Sequence, residues 1–597
     1  MKKYYPLILI VGIIFIPMMF FHSCANTTEA PTGGKKDTIP PYIVAISPLP
    51  GSTNVPLSGT RFSFTFNEYV TLKTPANIII SPPQQKPLKT TLRGKTLTIT
   101  TEEPLDPDKT YTITFTDAIA DANEGNMFAG YTYAFSTGDR CDSMMITGTV
   151  LNCNTLAYVK GATVLLYKDH SDSAVFKHRP DAAVRTDDWG YFCLPFIKDT
   201  SYRLYAIKEE TPNYIYDPDN DLIAFADSLI VPVMTASDTT REMLRYDMKD
   251  TVACLARTSQ YQLKLFREKP SKQFLRNKER TAERAAYITF MAPNVWIDSL
   301  WVRGYRAEQI ITQFNPEMDS LEIWLNNIRR EAPDTMNIFV NYRKTDSTGR
   351  LAPVQEKVKL ALDNNKRTYS KRPRRNLKHD DTTCVFRLSA QPETVEQNGI
   401  ELVFNNPVIN ADFDSIQFYY INTRQKRIDG TFKVEQDTLN LRRYTIRPDE
   451  KLQQGFDYVV KVPHNCFRDI NGFWSDSTEV KVTLPKDETL SQIEAVITGV
   501  ESKVIIDLLT EKRDKVLRSY VVDKDCTLYF PYLKTGRYSM RITRDENNNS
   551  MVDTGNVLEH RQPEDVKFLL IGGNEYFNIP ASSEIVQNID LKELFER

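Results

Sequence analysis

The sharpest gathering of chemistry-bearing side chains is Asp545-Glu546-Asn547-Asn548-Asn549-Ser550-Met551-Val552-Asp553-Thr554-Gly555. Side-chain oxygens at alternate positions (Asp545, Asn547, Asn549) and a following carboxylate (Asp553) are what a hard cation takes from one curling loop, at about 2.3–2.6 Å each. Calcium is the one metal this spacing suggests, and no other cofactor is implied. The competing reading is an Asx-rich turn whose side chains satisfy their own backbone. Asp217-Pro218-Asp219-Asn220-Asp221 is a second, weaker candidate for calcium, because Pro218 stiffens the curl and its three carboxylates read more simply as solvated.

Catalysis finds little to work with. The chain has six histidines, none in a Gly-x-Ser-x-Gly or His-Glu-x-x-His setting. His464 and Cys466 could form a thiol–imidazole pair, or the cysteine could simply be packed in a loop. Glu209 and Glu210 point apart on any strand, so glycoside hydrolysis has no visible basis. No CxxC pair exists to hold zinc. Cys141, Cys153 and Cys193 fall in one expected domain, where two could bridge or all could stay buried thiols. Trp296, Trp301 and Trp324 could line a sugar platform or fill a core, and their exposure decides between the two. The expectation is a protein that is not an enzyme.

The first residues speak to address. Lys2 and Lys3 precede an apolar run from Tyr4 to Phe21 that ends at Phe21-His22-Ser23-Cys24. A basic start, an apolar core and a small residue before a cut make residues 1–23 a signal peptide. A bilayer-spanning anchor is the rival, and Pro17 inside the run argues against it. Residues 24–40 are small and polar and cannot bury a core, so they form a flexible tether with a reach of at most ~60 Å.

These elements must be carried by a large β protein. The 597 residues carry 75 Lys+Arg against 77 Asp+Glu, a net charge of -2, so no global field draws the chain onto nucleic acid. Tyr (29) and Phe (30) are plentiful and Gly (23) is scarce, which favours strands. Residues 41–139 alternate with period two, as at Phe62, Phe64 and Phe66, and turn at Pro50-Gly51 and Asp106-Pro107-Asp108. The layout returns in residues 384–486: Ile400-Glu401-Leu402-Val403-Phe404 echoes Phe62 to Phe66, and Leu452 precedes Tyr458 as Leu105 precedes Tyr111. A second layout spans 141–249 and returns in 487–597, where Lys534 precedes Tyr538 as Lys198 precedes Tyr202. Residues 250–365 form a further β domain of uncertain type, and 366–383 a basic linker. The basic stretch Lys269 to Arg284 also reads as solvated linker, with contact to lipopolysaccharide phosphates or an acidic partner as the other reading of both stretches. The result is an all-β chain of tandem β-sandwiches, expected to form an elongated rod.

Several motifs resemble known families. Ser23-Cys24 is similar to the end of a bacterial lipoprotein signal, which implies that Cys24 is lipidated and becomes the first mature residue. Pro48-x-Pro50-Gly51-x-x-Asn54-Val55 followed by Phe64-x-Phe66-Asn67-Glu68 resembles bacterial Ig-like domains of surface-layer type. Pro31-Thr32-Gly33-Gly34 running into Asp37-Thr38-Ile39-Pro40-Pro41 resembles the leader of Bacteroidetes lipoproteins that carry this domain. Gly148-x-Val150, Gly161-Ala162-x-Val164 and Asp188-x-Gly190-x-Phe192 resemble the carboxypeptidase regulatory-like, or transthyretin-like, fold. The Asp545 loop is similar to an EF-type calcium loop, with Ser550 where that pattern has Gly and Asn556 where it has Glu. Together these imply an outer-membrane protein anchored by lipid, periplasmic or surface-exposed. Its expected work is to scaffold or bind other envelope proteins, as part of an outer-membrane assembly or transport complex. A cell-surface adhesin or carbohydrate-binding protein is the alternative. No activity is implied, because these folds host many functions.

Overall fold

A computed structural model describes residues 37–128, 131–210, 212–234, 260–326, 332–362, 383–453, 455–485 and 490–596. Cys24, the signal segment, most of the tether, Cys254 and the basic run 366–379 lie outside the described residues. The chain is all-β, with strands throughout and a few one-turn helices. No described helix is long and apolar enough to cross a membrane. The residues fall into two compact units, one built on 1–146 and the other on most of the rest.

The first unit holds a sandwich that begins with Ile43–Ser47 and ends with Tyr131–Ser136. Alternation in Arg61–Phe66 sends Phe62, Phe64 and Phe66 into a core with Phe115, Tyr133 and Phe135, all buried. Edge-to-face rings such as Phe64 against Phe115 (4.9 Å) and Phe66 against Phe128 (5.3 Å) fix the packing. The Tyr111 hydroxyl accepts the Asp106 N–H at 2.9 Å. Asp121, at the turn after Ile119–Asp121, accepts the N–H groups of Asn123, Glu124, Gly125 and Asn126.

The second unit repeats this plan in Phe386–Thr483. Ile400, Leu402 and Phe404 point inward, the Tyr458 hydroxyl accepts the Gln453 N–H, and Asp469 accepts those of Asn471 and Phe473. The repeat read in the sequence is thus a repeat of turns and bonds as well as of apolar residues. Between the two copies of this plan, Leu275–Ala361 forms a sandwich of a four-stranded and a three-stranded sheet around Ile288, Ile323, Ile338 and Tyr342.

The other repeated layout also holds in three dimensions. In the later copy Ser491–Thr498 pairs antiparallel with Cys526–Leu533 and parallel with Glu584–Asp590, facing a sheet built on Val504–Thr510 and Gly536–Arg544. In the earlier copy Thr163–Tyr167 and Arg203–Lys208 occupy the places of the latter two strands, and Gly148 to Asn152 pairs in parallel with Tyr261 to Leu265. A Cβ at Gly148 would stand 2.4 Å from the Tyr261 carbonyl oxygen and 2.5 Å from the Phe192 ring, so this approach needs glycine.

Three expectations are corrected here. The strand Tyr261–Leu265, expected in the domain 250–365, closes the preceding sandwich, so the boundary at 249/250 moves beyond Phe266. The stretch Lys269 to Arg284 is not all linker: Leu275–Ala282 is a strand, and Arg280 is buried with its guanidinium on the carbonyls of Asp334, Leu360 and Glu283. The sandwiches of the second unit are also not strung out as a rod. Gln313 bonds the backbone of Leu439 and Leu441, Gln397 bonds the Tyr529 carbonyl, and the last sandwich returns to the 147–268 region. The four close on one another.

Candidate functional site

The closure is made by the connection between the strands Gly536–Arg544 and Val566–Phe568. It begins with the four residues expected to bind calcium. Two strand steps past the pair Thr543–Val566, and one past Arg544, whose N–H bonds the Asp565 carbonyl at 3.0 Å, Asp545 stands opposite Glu564. The earlier copy has the same arrangement: one step past Lys208–Leu222, Glu209 stands opposite Asp221. In both copies the first carboxylate accepts the N–H groups four and five residues on. Asp545 takes those of Asn549 (3.1 Å) and Ser550 (2.7 Å), and Glu209 those of Asn213 (2.9 Å) and Tyr214 (2.8 Å). Sequence reasoning found Asp545 and missed Glu564, which lies 19 residues downstream; strand register could have paired them. Glu564 accepts the N–H groups of Glu546 and Asp553 at 3.1 and 2.9 Å. Burial raises the carboxyl pKa of Glu564, and the charges of Asp553 and Asp545 add to the shift. Burial likewise raises Glu209 and Asp221.

The structure brings Asp545, Asn547, Asn549 and Asp553 into one loop. The side-chain N–H groups of Asn547 and Asn549 each donate to the same Asp553 oxygen at 2.6 Å, while their carbonyl oxygens accept the N–H groups of Asn549 and Met551. Against the opposing effect of burial, these bonds and Lys269 (3.3 Å) hold Asp553 below the usual carboxylate range. This is the self-satisfied Asx loop. Among the described residues no three His, Cys, Asp or Glu side chains gather in a metal-holding group. Each asparagine oxygen retains a second lone pair, so four oxygen donors are within the loop. A cation seated there would have to displace the two amide donors from Asp553. The sequence run Asp217 to Asp221 folds instead as a turn, with Asp219 N–H and the Asn220 amide on Asp217 and Asp217 N–H on Asp221.

Past Asp553 the connection docks on the earlier copy. Thr554 Oγ1 donates to the Arg267 carbonyl at 2.6 Å, the Val557 N–H donates to Glu268 at 2.6 Å, and Tyr216 holds the other Glu268 oxygen at 2.9 Å. Val557 enters the apolar cluster of Phe225, Phe266 and Tyr216. A Cβ on Gly555 would lie 2.6 Å from the Phe266 ring, so only glycine lets the loop lie this close. His560 pairs with Asp172 (2.7 Å) and Lys264 with Asp565 (2.6 Å). On the flank, Arg513 is buried between the rings of Phe568 (3.7 Å) and Tyr576 (4.7 Å), pairs with Glu575 and donates to the Thr155 carbonyl at 2.7 Å.

The other candidates are not drawn together. His464 pairs with Asp476 at 3.3 Å at an exposed position, and Cys466 is buried, its thiol pKa raised by burial, so no thiol–imidazole pair forms. Cys141, Cys153 and Cys193 are not bridged. Of the tryptophans, Trp324 is buried against Ile470, whereas Trp296 is 67% and Trp301 38% exposed, the latter stacked on Phe339 at 5.2 Å.

Comparison with solved structures finds low-level likeness to bacterial S-layer and pilin proteins. The N-terminal part of the bacterial S-layer protein SbsC is 15% identical, covering 29% of this chain and 41% of its own, with a TM-score of 0.13. Domains 1–6 of SbsC are 10% identical over 92% of this chain and 54% of theirs, with a TM-score of 0.13. BcpA, the major pilin subunit of Bacillus cereus, is 10% identical over 75% of this chain and 99% of its own, with a TM-score of 0.12. The chain thus spans about half or less of the SbsC structures, and at these scores the likeness carries no argument about arrangement or work. No curated protein matches. What the chain does contain by family is clear at its start: residues 37–137, the sandwich of Phe62, Phe64 and Phe66, match the family described as bacterial Ig-like domain.

Proposed function

We propose that the chain is a non-enzymatic scaffold of the cell envelope, anchored to the outer membrane by lipid on Cys24, that works by binding other envelope proteins, within an assembly or transport complex. The observation that carries this reading is the closure of the last sandwich on the 147–268 region through Gly555, Val557 and Arg513. Such an arrangement fixes several sheet edges and loops in one frame, which suits presenting surfaces to partners. The absence of global charge supports protein rather than nucleic-acid partners. The test is affinity capture of the tagged, lipidated protein from solubilised outer membranes after cross-linking. The expected result is an outer-membrane protein retained in a fixed ratio; a chain that always elutes alone overturns the reading.

Exposure of Trp296 and of Trp301, stacked on Phe339, favours a second reading, in which the outer face of Ile297–Val302 holds a sugar ring. Binding to a glycan array that is lost in Trp301→Ala supports it, and a blank array removes it. We also propose that calcium binds Asp545, Asn547, Asn549 and Asp553, where it would tighten the loop that docks.

A further inference from the structure

The first sandwich exposes apolar side chains at the end where the chain enters it. Ile39 is 65%, Tyr42 43%, Tyr69 62% and Met127 37% exposed. Hydrogen bonds hold them in one group. The Asn126 amide donates to the carbonyls of Asp37 (3.0 Å) and Ile39 (3.5 Å), which sets Met127 beside the entering chain. Tyr42 and Asn67 exchange two bonds, the Tyr42 N–H reaching Asn67 Oδ1 at 2.8 Å and the Asn67 N–H reaching the Tyr42 carbonyl at 3.0 Å. Lys95 reaches the Asn67 carbonyl at 2.7 Å and sits 5.6 Å over the Tyr69 ring. The Ala122 N–H bonds the Tyr69 carbonyl at 2.9 Å, which ties that loop to the turn sealed by Asp121.

Two tyrosines and a lysine at the same end as exposed aliphatic side chains have the composition of a membrane-interface belt, in which apolar bodies turn to lipid and polar tips to headgroups. The position fits the same occupant. Twelve residues lie between Cys24 and Asp37, thirteen chain steps with a reach of at most ~45 Å, and Asp37 stands at this end of the sandwich. The opposite end, which carries Leu49 and Leu57, is where the chain leaves past Ser136. The geometry points to Ile39, Tyr42, Tyr69 and Met127 as a lipid-contacting face that seats the first sandwich on the membrane surface. This rests on the Cys24 anchor. Charge is not the driving term, because Asp37, Glu68 and Glu124 lie at the same end as Lys95, so contact is made by apolar insertion and resists salt.

The test places a reporter in the full lipidated chain. Tyr69→Trp and, at the other end, Leu49→Trp are each reconstituted into vesicles of phosphatidylethanolamine and phosphatidylglycerol with brominated acyl chains. The added emission of Tyr69→Trp is expected to be quenched at least about twofold more than that of Leu49→Trp, unchanged in high salt. Protein that floats with the vesicles but shows equal quenching at both positions, or none, overturns the contact while leaving the anchor standing. Protein without acyl mass that fails to float overturns both.

Discussion

The two copies of the repeated sandwich, 144–266 and 491–590, share strand order, a parallel closing strand and a pair of facing carboxylates at the same step of the same hairpin. They differ in what joins the paired strands. In the earlier copy Glu209 and Asp221 are bridged by a short turn through Asn213 and Asp217. In the later copy Asp545 and Glu564 are bridged by a longer connection that runs out, turns on its asparagines and docks on its sister. On the same strand plan, the longer connection is a clasp where the shorter one is a closed hairpin, so the difference between the copies lies in a loop and not in the sheets that carry it.

Breaking the clasp gives the largest effect. Gly555→Val places branched carbon against the Phe266 ring and the Arg561 carbonyl, and is expected to cost about 3 kcal/mol and to release residues 554–562 to rapid hydrogen exchange. The earlier copy, which has no such loop, keeps its own exchange pattern apart from the uncovered Phe266 region. Arg513→Ala removes a guanidinium held between two rings and leaves Glu575 unpaired, for about 2 kcal/mol. Arg513→Lys does not restore it, since an ammonium neither stacks nor reaches both Thr155 and Glu575.

Calcium sharpens the contrast between the copies. At ten times its dissociation constant it is expected to add about 1.4 kcal/mol to the stability of the later copy. Asp545→Ala abolishes that gain and Glu209→Ala does not; equal melting midpoints in calcium and in chelator remove the proposal. The smallest effect is on pH. Glu564 is held above 4.5, so the folded state binds its proton more tightly than the unfolded state does. Stability from this group therefore falls as pH rises through the folded-state value, and the difference vanishes below 4.5, where both states are protonated. Glu564→Gln should flatten this part of the stability curve, read against the parent in urea titrations across pH.

Much of the fold was legible because its signals are local. Phe62, Phe64 and Phe66, then Ile400, Leu402 and Phe404, alternate in plain view, and the Leu-to-Tyr interval before Tyr111 and Tyr458 reflects one hydroxyl-to-backbone bond made twice. What stayed hidden depends on distance along the chain. Tyr261–Leu265 pairs in parallel with a strand more than a hundred residues earlier, which leaves no turn to read. Leu275–Ala282 looked like a charged linker because its inward residue is Arg280, satisfied by carbonyls that sequence cannot place. The Asp545 loop was visible as alternating oxygens, whereas Glu564 and the Phe266 contact that requires Gly555 appear only once the strands are in register.

The proposed scaffold role places the chain at the outer membrane through lipid on Cys24, so the intact mass of the mature protein from the outer-membrane fraction is the most direct measurement. The account predicts a chain beginning at Cys24 and heavier than its residues by a diacylglyceryl group and an acyl chain, and a Cys24→Ala variant that lacks this mass and leaves the membrane. A native chain that begins elsewhere or carries no lipid would contradict it.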